Sequence, residues 1–402
     1  MRSPALLELS VENFRSFQKV DLALGRLNVL VGPNGAGKSN LLSALEFLGD
    51  AATEDLRPAI LQHGGIESVR FRGATEEEPV RIAVKCLLTR YATEQLPDEY
   101  ALSFRHTEPA SHHKPELPEL SRTEHFTFRG AKGARQQIRI EGTRLKTTGP
   151  GRSKPRTFKL LRQDSLGLST LPRLDIIKSS PGIFVLANMF SQFRVMNVEV
   201  EAAREPADFV ESEMLHPDAA NLASFLSYLS QDESQFEMLQ EDVRAFIPGV
   251  ERLHLRTIGG SHEAVVVELE ERGLPGRTPL AHASFGTVRL LALLAMLHDP
   301  DPPFLTCIEE IDHGLHPYVF DRLVERLRDA SKRTQFLIAT HSPAFVNRLS
   351  AEELIVCERD PETGASRIPA IPKKTVARML KEVGDSMRLG ELWFSGSLGG
   401  VP

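Results

Sequence analysis

Leu7, Leu9 and Val11 alternate with polar neighbours, the two-residue period of a half-buried strand, and Leu27-Asn28-Val29-Leu30-Val31 is the short apolar run of a buried one. The period then changes. Leu41, Leu42, Leu45 and Leu48 fall on one face of a helix running from Lys38 to Leu48. Ile66 to Phe71 and Val80 to Val84 alternate again and are expected as half-buried antiparallel strands. Pro109 to Pro118, rich in Pro, His and Glu, is expected as loop. From Asp218 the pattern is helical: Leu222, Phe225, Leu226 and Leu229 make one apolar face, and Phe236, Leu239, Val243 and Phe246 another, stopped by Pro248-Gly249. Leu253–Leu255 and Val265–Val267 flank Gly259-Gly260 as a hairpin. Near the end come an apolar helix from Val288 to Leu297 and two buried strands, Pro303–Ile308 and Phe336–Ala339. Between those strands a helix turns Phe320, Leu323, Val324 and Leu327 inward. No internal repeat and no sustained heptad pattern is present.

With 402 residues, one large domain with an insertion, or two or three modules, is expected. The 48 Lys and Arg against 54 Asp and Glu leave a net charge of −6, which argues against a uniformly basic nucleic-acid binder but not against a local patch. Such a patch exists: Arg122 to Arg162 holds twelve Lys and Arg opposed only by Glu124 and Glu141. Within it Lys146 to Lys159, carrying Gly149, Pro150, Gly151 and Pro155, reads as loop. The stretch is either a contact for a phosphate backbone or a solvated loop, and few aromatics interleave to stack on bases. Cys86, Cys307 and Cys357 lie far apart in apolar surroundings, without metal-ligand spacing, which favours a reducing cytoplasm. The apolar run Leu290–Leu297 is too short to span a bilayer, and Glu8 and Glu12 interrupt any signal-peptide core, so a cytoplasmic protein away from the membrane is expected.

The chemistry concentrates at three places. Gly32-Pro33-Asn34-Gly35-Ala36-Gly37-Lys38-Ser39 sits between a strand and a helix, the setting that the G-x-x-x-x-G-K-[ST] phosphate loop requires. Its glycines let backbone N–H groups curl round a phosphate, and the helix N-terminus adds partial positive charge. Asn34, Gly35, Gly37, Lys38, Ser39 and Asn40 are therefore candidate ATP-binding residues, with Lys38 on the terminal phosphates and the Ser39 hydroxyl on Mg²⁺. Second, the strand ending at Ile308 runs into Glu309-Glu310. An acidic pair at a strand's C-terminal end suits a metal ligand, Glu309 acting through water, and a general base, Glu310. Two adjacent buried carboxylates repel unless a cation sits between them. Third, Thr340-His341-Ser342-Pro343 follows the other buried strand, where His341 can reach a γ-phosphate. His313 and His316, in Asp312-His313-Gly314-Leu315-His316-Pro317, have no third ligand at suitable spacing and read as loop residues.

Together these parts resemble a family. Glu12-Asn13-Phe14-Arg15-Ser16-Phe17, the phosphate loop, Ile308-Glu309-Glu310 with Leu315-His316-Pro317, and Ala339-Thr340-His341-Ser342-Pro343 resemble the ABC-type ATPases of the RecF/SMC/OLD group, most closely the stand-alone bacterial AAA-family ATPases with OLD-like heads. The resemblance covers both ends of the chain well and the middle poorly. It implies an α/β fold: a P-loop ABC-type ATPase head with mixed sheet, an antiparallel β subdomain and an inserted α-helical/β lobe. Residues 1–105 would be the N-terminal half of the head, 106–250 the inserted lobe with the basic loop and helices, and 251–402 the C-terminal half. Family heads form homodimers or higher homo-oligomers around two ATPs, with a Leu-Ser-x-Gly loop reaching the partner's γ-phosphate. Here Ala283-Ser284-Phe285-Gly286-Thr287 stands in that place, keeping Ser284 and Gly286 and departing at Ala283 and Phe285. The resemblance further implies that Arg15 contacts phosphate, that His341 is the switch histidine, and that Gln62 or Gln163 senses Mg²⁺.

The long coiled-coil arm of SMC proteins is missing, and the stretch after His341 is too short for the TOPRIM nuclease of OLD proteins, so any such nuclease is expected on a separate effector chain. Trp393 and Phe394, near the C-terminus, either dock such a partner or pin the tail to the core. The leading expectation is an ATP-hydrolysing dimeric switch, the sensor or regulator of a bacterial anti-phage system with a separate effector. A RecF-like DNA-repair ATPase and a scaffold sequestering a toxic effector are the alternatives; a transporter ATPase is disfavoured.

Overall fold

The structure, a computed structural model, describes residues 4–107, 119–149, 156–159, 162, 164–173, 181–208, 212–259 and 263–399. The proline-rich stretch expected as loop, and Gln163, lie outside them. The chain divides into two compact units, Met1–Phe193 with Ser350–Pro402, and Arg194–Leu349.

The first unit is built on an eight-stranded antiparallel sheet in the order β2-β1-β4-β5-β6-β7-β8-β9. Its strands are β1 (Ala5–Phe14), β2 (Phe17–Ala23), β4 (Val80–Leu87), β5 (Asp98–Thr107), β6 (Glu119–Arg129), β7 (Arg135–Glu141), β8 (Arg144–Thr148) and β9 (Arg156–Lys159). β3 (Leu27–Val31) is buried at all five residues, as its unbroken apolar run requires. The helix α1 (Lys38–Thr53) packs its apolar stripe inward, and Phe47 meets Phe14 edge-on and stacks on Phe104 at a centroid distance of 5.5 Å. After α2 (Leu56–Gln62) comes the first departure from expectation. Ile66–Val69 is a helical turn, α3, because Gly64 and Gly65 take positive φ and start a turn, and the Ile66–Val69 spacing of three suits a helix as well as a strand.

The basic stretch is the second departure. Lys146–Lys159 is not a continuous loop: β8 and β9 pair through Arg144↔Lys159 and Lys146↔Thr157, with 150–155 outside the described residues. Leu145 and Thr147 face the core while Arg144 and Lys146 face solvent, so the strand alternation was present beneath the basic residues. Arg122 is fully buried. It lies 3.4 Å from Glu124, and its Nε donates to the Ser165 carbonyl at 2.7 Å. Glu124 also accepts the N–H groups of Gly167 and Leu168 at the start of α4 (Gly167–Thr170). Burial pushes the Glu124 carboxyl up, partly opposed by Arg122 and these bonds. α5 (Pro181–Ser191) then lies against α1.

The chain passes through β10 (Phe193–Met196) into the second unit, which holds α6 (Val200–Ala203), β11 (Ala207–Asp208), α7 (Leu222–Leu229), α8 (Glu233–Phe246), β12 (Val250–Gly259), β13 (Glu263–Glu271), β14 (Thr278–Pro279), α9 (Phe285–Leu297), β15 (Leu305–Ile308), α10 (Phe320–Ala330), β16 (Gln335–Ala339) and α11 (Pro343–Val346). The expected hairpin is β12–β13, with Leu255 opposite Val267. β15 and β16 run parallel, Ile308 opposite Ile338. α8 is tied to β12 by Gln240, whose amide exchanges bonds of 2.9 and 2.8 Å with the Leu253 carbonyl and N–H.

The chain then returns to the first unit. β17 (Leu354–Val356) pairs parallel with β3, and the hairpin β18 (Glu358–Arg359) and β19 (Ser366–Arg367) leads to α12 (Lys373–Val383) and α13 (Leu389–Phe394). In α13 Trp393 is fully buried and Phe394 is 62% exposed, so the tryptophan pins the tail. Among the described residues, no helix is long and apolar enough to cross a membrane.

Candidate active site

In the first unit β3 delivers the chain to the phosphate loop and α1 carries it away. Gly32 (φ +151°) lies against the Cys357 carbonyl at the end of β17, and Gly37 (φ +100°) lies against the Ser366 hydroxyl of β19; a Cβ at either position would collide. The Lys38 ammonium donates to the carbonyls of Gly32 at 2.8 Å and Pro33 at 3.0 Å, so the side chain lies along its own loop. Asn34 and Gly35 are exposed at the loop tip, and Ser39 is exposed in the first turn of α1. The Asn40 amide donates to the Ser16 hydroxyl, which also receives a bond from Ser366, both at 2.8 Å.

Arg15 has positive φ. Its guanidinium donates to Ser43 Oγ at 2.7 Å and meets His63 Nδ1 at 3.2 Å, while His63 Nε2 is 2.9 Å from Asp50. Burial pushes the Arg15 pKa down, opposed by Glu46. Gln62 is exposed at the end of α2. Two neighbours of the loop escaped the sequence reading: Ser366, and Arg359, whose Nη1 lies 3.6 Å from where a Cβ on Gly35 would sit. Neither belongs to a motif, and both reach the loop through a hairpin more than 300 residues away along the chain.

In the second unit the parallel pairing of β15 and β16 brings Glu309-Glu310 and Thr340-His341 out at the same sheet edge. The Ile311 N–H bonds the Ala339 carbonyl at 3.4 Å, and the Thr340 hydroxyl donates to Asp312. His341 and Glu309 are partly buried. The expectation of two adjacent buried carboxylates is corrected: the Glu310 side chain is 60% exposed and pairs with His313 Nδ1 at 3.2 Å. The Glu310 backbone turns left-handed (φ +47°), which swings its side chain out of the strand's alternation.

Ser284 caps α9, accepting the Thr287 N–H at 3.2 Å. The next two residues interlock with the loop after the acidic pair. The Phe285 ring lies over Gly314 and 5.4 Å from the His313 ring, and a Cβ on Gly286 would come within 2.7 Å of the Gly314 carbonyl oxygen. His316 accepts the Tyr318 N–H at 3.3 Å. Among the described residues no three His, Cys, Asp or Glu cluster to hold a metal. The Ser39 hydroxyl in the first unit and the Glu309 carboxylate in the second are each hard oxygen donors, the kind that suits Mg²⁺.

A strand, a loop whose Gly32 and Gly37 admit no side chain, and a helix that begins at its lysine define a P-loop nucleotide-binding protein. The comparisons narrow the class: a family model described as "AAA domain" matches residues 8–243, and the chain belongs to that family. A second AAA-domain model matches residues 172–347. The chromosome partition protein Smc of Desulfitobacterium hafniense is 38% identical over 98 residues, 24% of this chain and 8% of Smc. The OLD nuclease of Thermus scotoductus is 52% identical over 46 residues, 11% of this chain and 9% of the nuclease. The "Retron Vc95 probable ATPase" of Vibrio cholerae is 26% identical over 136 residues, 31% of this chain and 26% of that protein. The matched stretches thus span about a quarter or less of each relative. A crystal structure of an Smc head bound to the C-winged helix domain of ScpA aligns with 90% of this chain and 96% of its own, at 16% identity and a TM-score of 0.47. The chain thus carries an AAA domain with short stretches similar to SMC and OLD proteins, and its strands form an antiparallel sheet and a system with parallel pairs.

Proposed function

We propose that this chain binds ATP-Mg²⁺ and hydrolyses ATP as a dimeric switch. Lys38 neutralises the terminal phosphates, Ser39 and Glu309 hold Mg²⁺, Glu310 takes the proton of the attacking water, and His341 orients the γ-phosphate. Ser284 and Gly286 present a hydroxyl and a helix N-terminus to the nucleotide of a second copy. The observation that supports this reading is the phosphate loop itself, in which Gly32 and Gly37 lie against Cys357 and Ser366 with no space for side chains. Lys38→Ala should lose binding and turnover. Glu310→Gln should bind ATP, stay dimeric in light scattering and turn over at least about a hundredfold more slowly. Normal hydrolysis in either variant would refute the assignment.

The biological role we propose is a cytoplasmic sensor or regulator in anti-phage defence, acting through a separate effector chain. The likeness to an OLD nuclease and a retron ATPase supports it. Purification from the native host with the Glu310→Gln variant should retain the effector; a variant that captures no second protein counts against the role.

A specific observation keeps a second reading, DNA binding, in play. Arg122 is excluded as a contact by burial, but Arg135, Arg139, Arg144 and Lys146 all point out of the sheet at β7 and β8, with Arg139 and Lys146 directly paired. Only Glu141, bonded to Arg139, opposes them on those strands. Binding through this ladder should weaken steeply with salt and lose slope when Arg144 and Lys146 become Gln.

A further inference from the structure

Arg289 is a cation that the proposed reaction does not use. It lies on α9, five residues after the capping Ser284, and is only 5% exposed. Its Nη2 donates to the Glu310 carbonyl at 2.8 Å and lies 3.3 Å from that of Glu309; its Nη1 lies 3.4 Å from that of Val198. Among the described residues its buried Nε has no partner, and no carboxylate bonds the guanidinium directly. The acidic side chains of Glu310, Asp312 and Glu199 stand around it and offset the burial that pushes its pKa down.

The carbonyls it grips belong to the two residues where the chain leaves β15 and turns left-handed at Glu310. Those two peptide planes decide where both carboxylates point. The far end of the same turn, Gly314, is in turn clamped by Phe285 and Gly286 at the start of α9. One helix therefore holds both ends of the Glu309–Gly314 turn.

We propose that Arg289 is a positioning residue that couples the Ser284–Gly286 turn to the acidic strand end, so that a shift of α9 re-aims Glu309 and Glu310. The inference rests on the hydrolysis mechanism above. It adds a route by which engagement of Ser284 with a second copy's nucleotide changes the carboxylates of its own chain. A planar guanidinium reaches three diverging carbonyls at once; a lysine ammonium in the same space cannot.

The test uses the full-length protein with Arg289→Lys and the apolar Arg289→Met. Both should retain binding of a non-hydrolysable ATP analogue and native circular dichroism. Their kcat should fall at least tenfold, with KM for ATP changed less than about twofold. Wild-type turnover in folded Arg289→Lys would overturn the inference, as would a kcat loss matched by lost analogue binding. An Arg289→Lys protein that cannot fold would equally refute a role confined to positioning. Lys38→Ala and Glu310→Gln run alongside: if they still hydrolyse ATP, the mechanism itself fails, whereas their loss with normal Arg289 variants sinks only this proposal.

Discussion

At the scale of single residues, the phosphate loop leaves little room for change. Gly37→Ala combines a left-handed backbone with a collision against Ser366, together about 2–4 kcal/mol. Calorimetric ATP affinity should fall by more than tenfold, and Gly37→Ala with Ser366→Gly should recover only the part due to the collision with Ser366. Asp299 makes a different prediction. Burial pushes its carboxyl up to about 6 from an ordinary 3.8, against the Asp301 N–H bond that favours ionisation. Because the folded value is raised, its stabilising contribution is complete below about pH 4 and is lost as pH rises through about 6, at most about 3 kcal/mol. Asp299→Asn should flatten the pH dependence of Tm across that window and make the protein more stable than wild type at neutral pH.

At this scale the motif residues were legible in advance, since Gly32 to Ser39 carries its chemistry in a local pattern. The partners of those residues were not. Arg122 reads as one more cation of a basic run, yet its burial against Glu124 and Ser165 comes from strands and loops 2 to 43 residues away. Glu310 reads as a strand-end carboxylate, yet its left-handed turn exposes it to His313.

At the scale of elements, periodicity located α7, α8 and the β12–β13 hairpin well, because each buries one face of a regular repeat. It failed at α3, where four residues carry too few apolar positions to separate the two periods, and at β8–β9, where Gly and Pro suggested a loop between strands that pair across it. The junction of α8 with β12 depends on a polar group no pattern announces. Gln240→Ala should leave the buried Leu253 N–H and carbonyl unpaired and lower stability by about 2–4 kcal/mol in urea unfolding. At the C-terminus, truncating buried Trp393 to Ala should cost about 3–5 kcal/mol, and truncating exposed Phe394 less than about 0.5 kcal/mol.

At the scale of the whole molecule, ligand linkage gives a test that needs no assay of turnover. A nucleotide bound only by the folded state adds about 2.7 kcal/mol at a concentration a hundredfold above Kd. ATP-Mg²⁺ should therefore raise the Tm of wild type and of Glu310→Gln, and leave Lys38→Ala unmoved. The sequence by itself determined that this chain holds a phosphate loop, an acidic strand end and the helices that follow them. Each of these is a local object, written in adjacent residues whose backbone needs and side-chain periods can be read directly. Only the tertiary structure decided that Ser366 and Cys357 close around the loop, that Arg122 is core rather than surface, and that α9 grips the acidic turn through Arg289. Those facts arise where segments distant along the chain are forced into van der Waals and hydrogen-bond contact, and no local pattern encodes such a meeting.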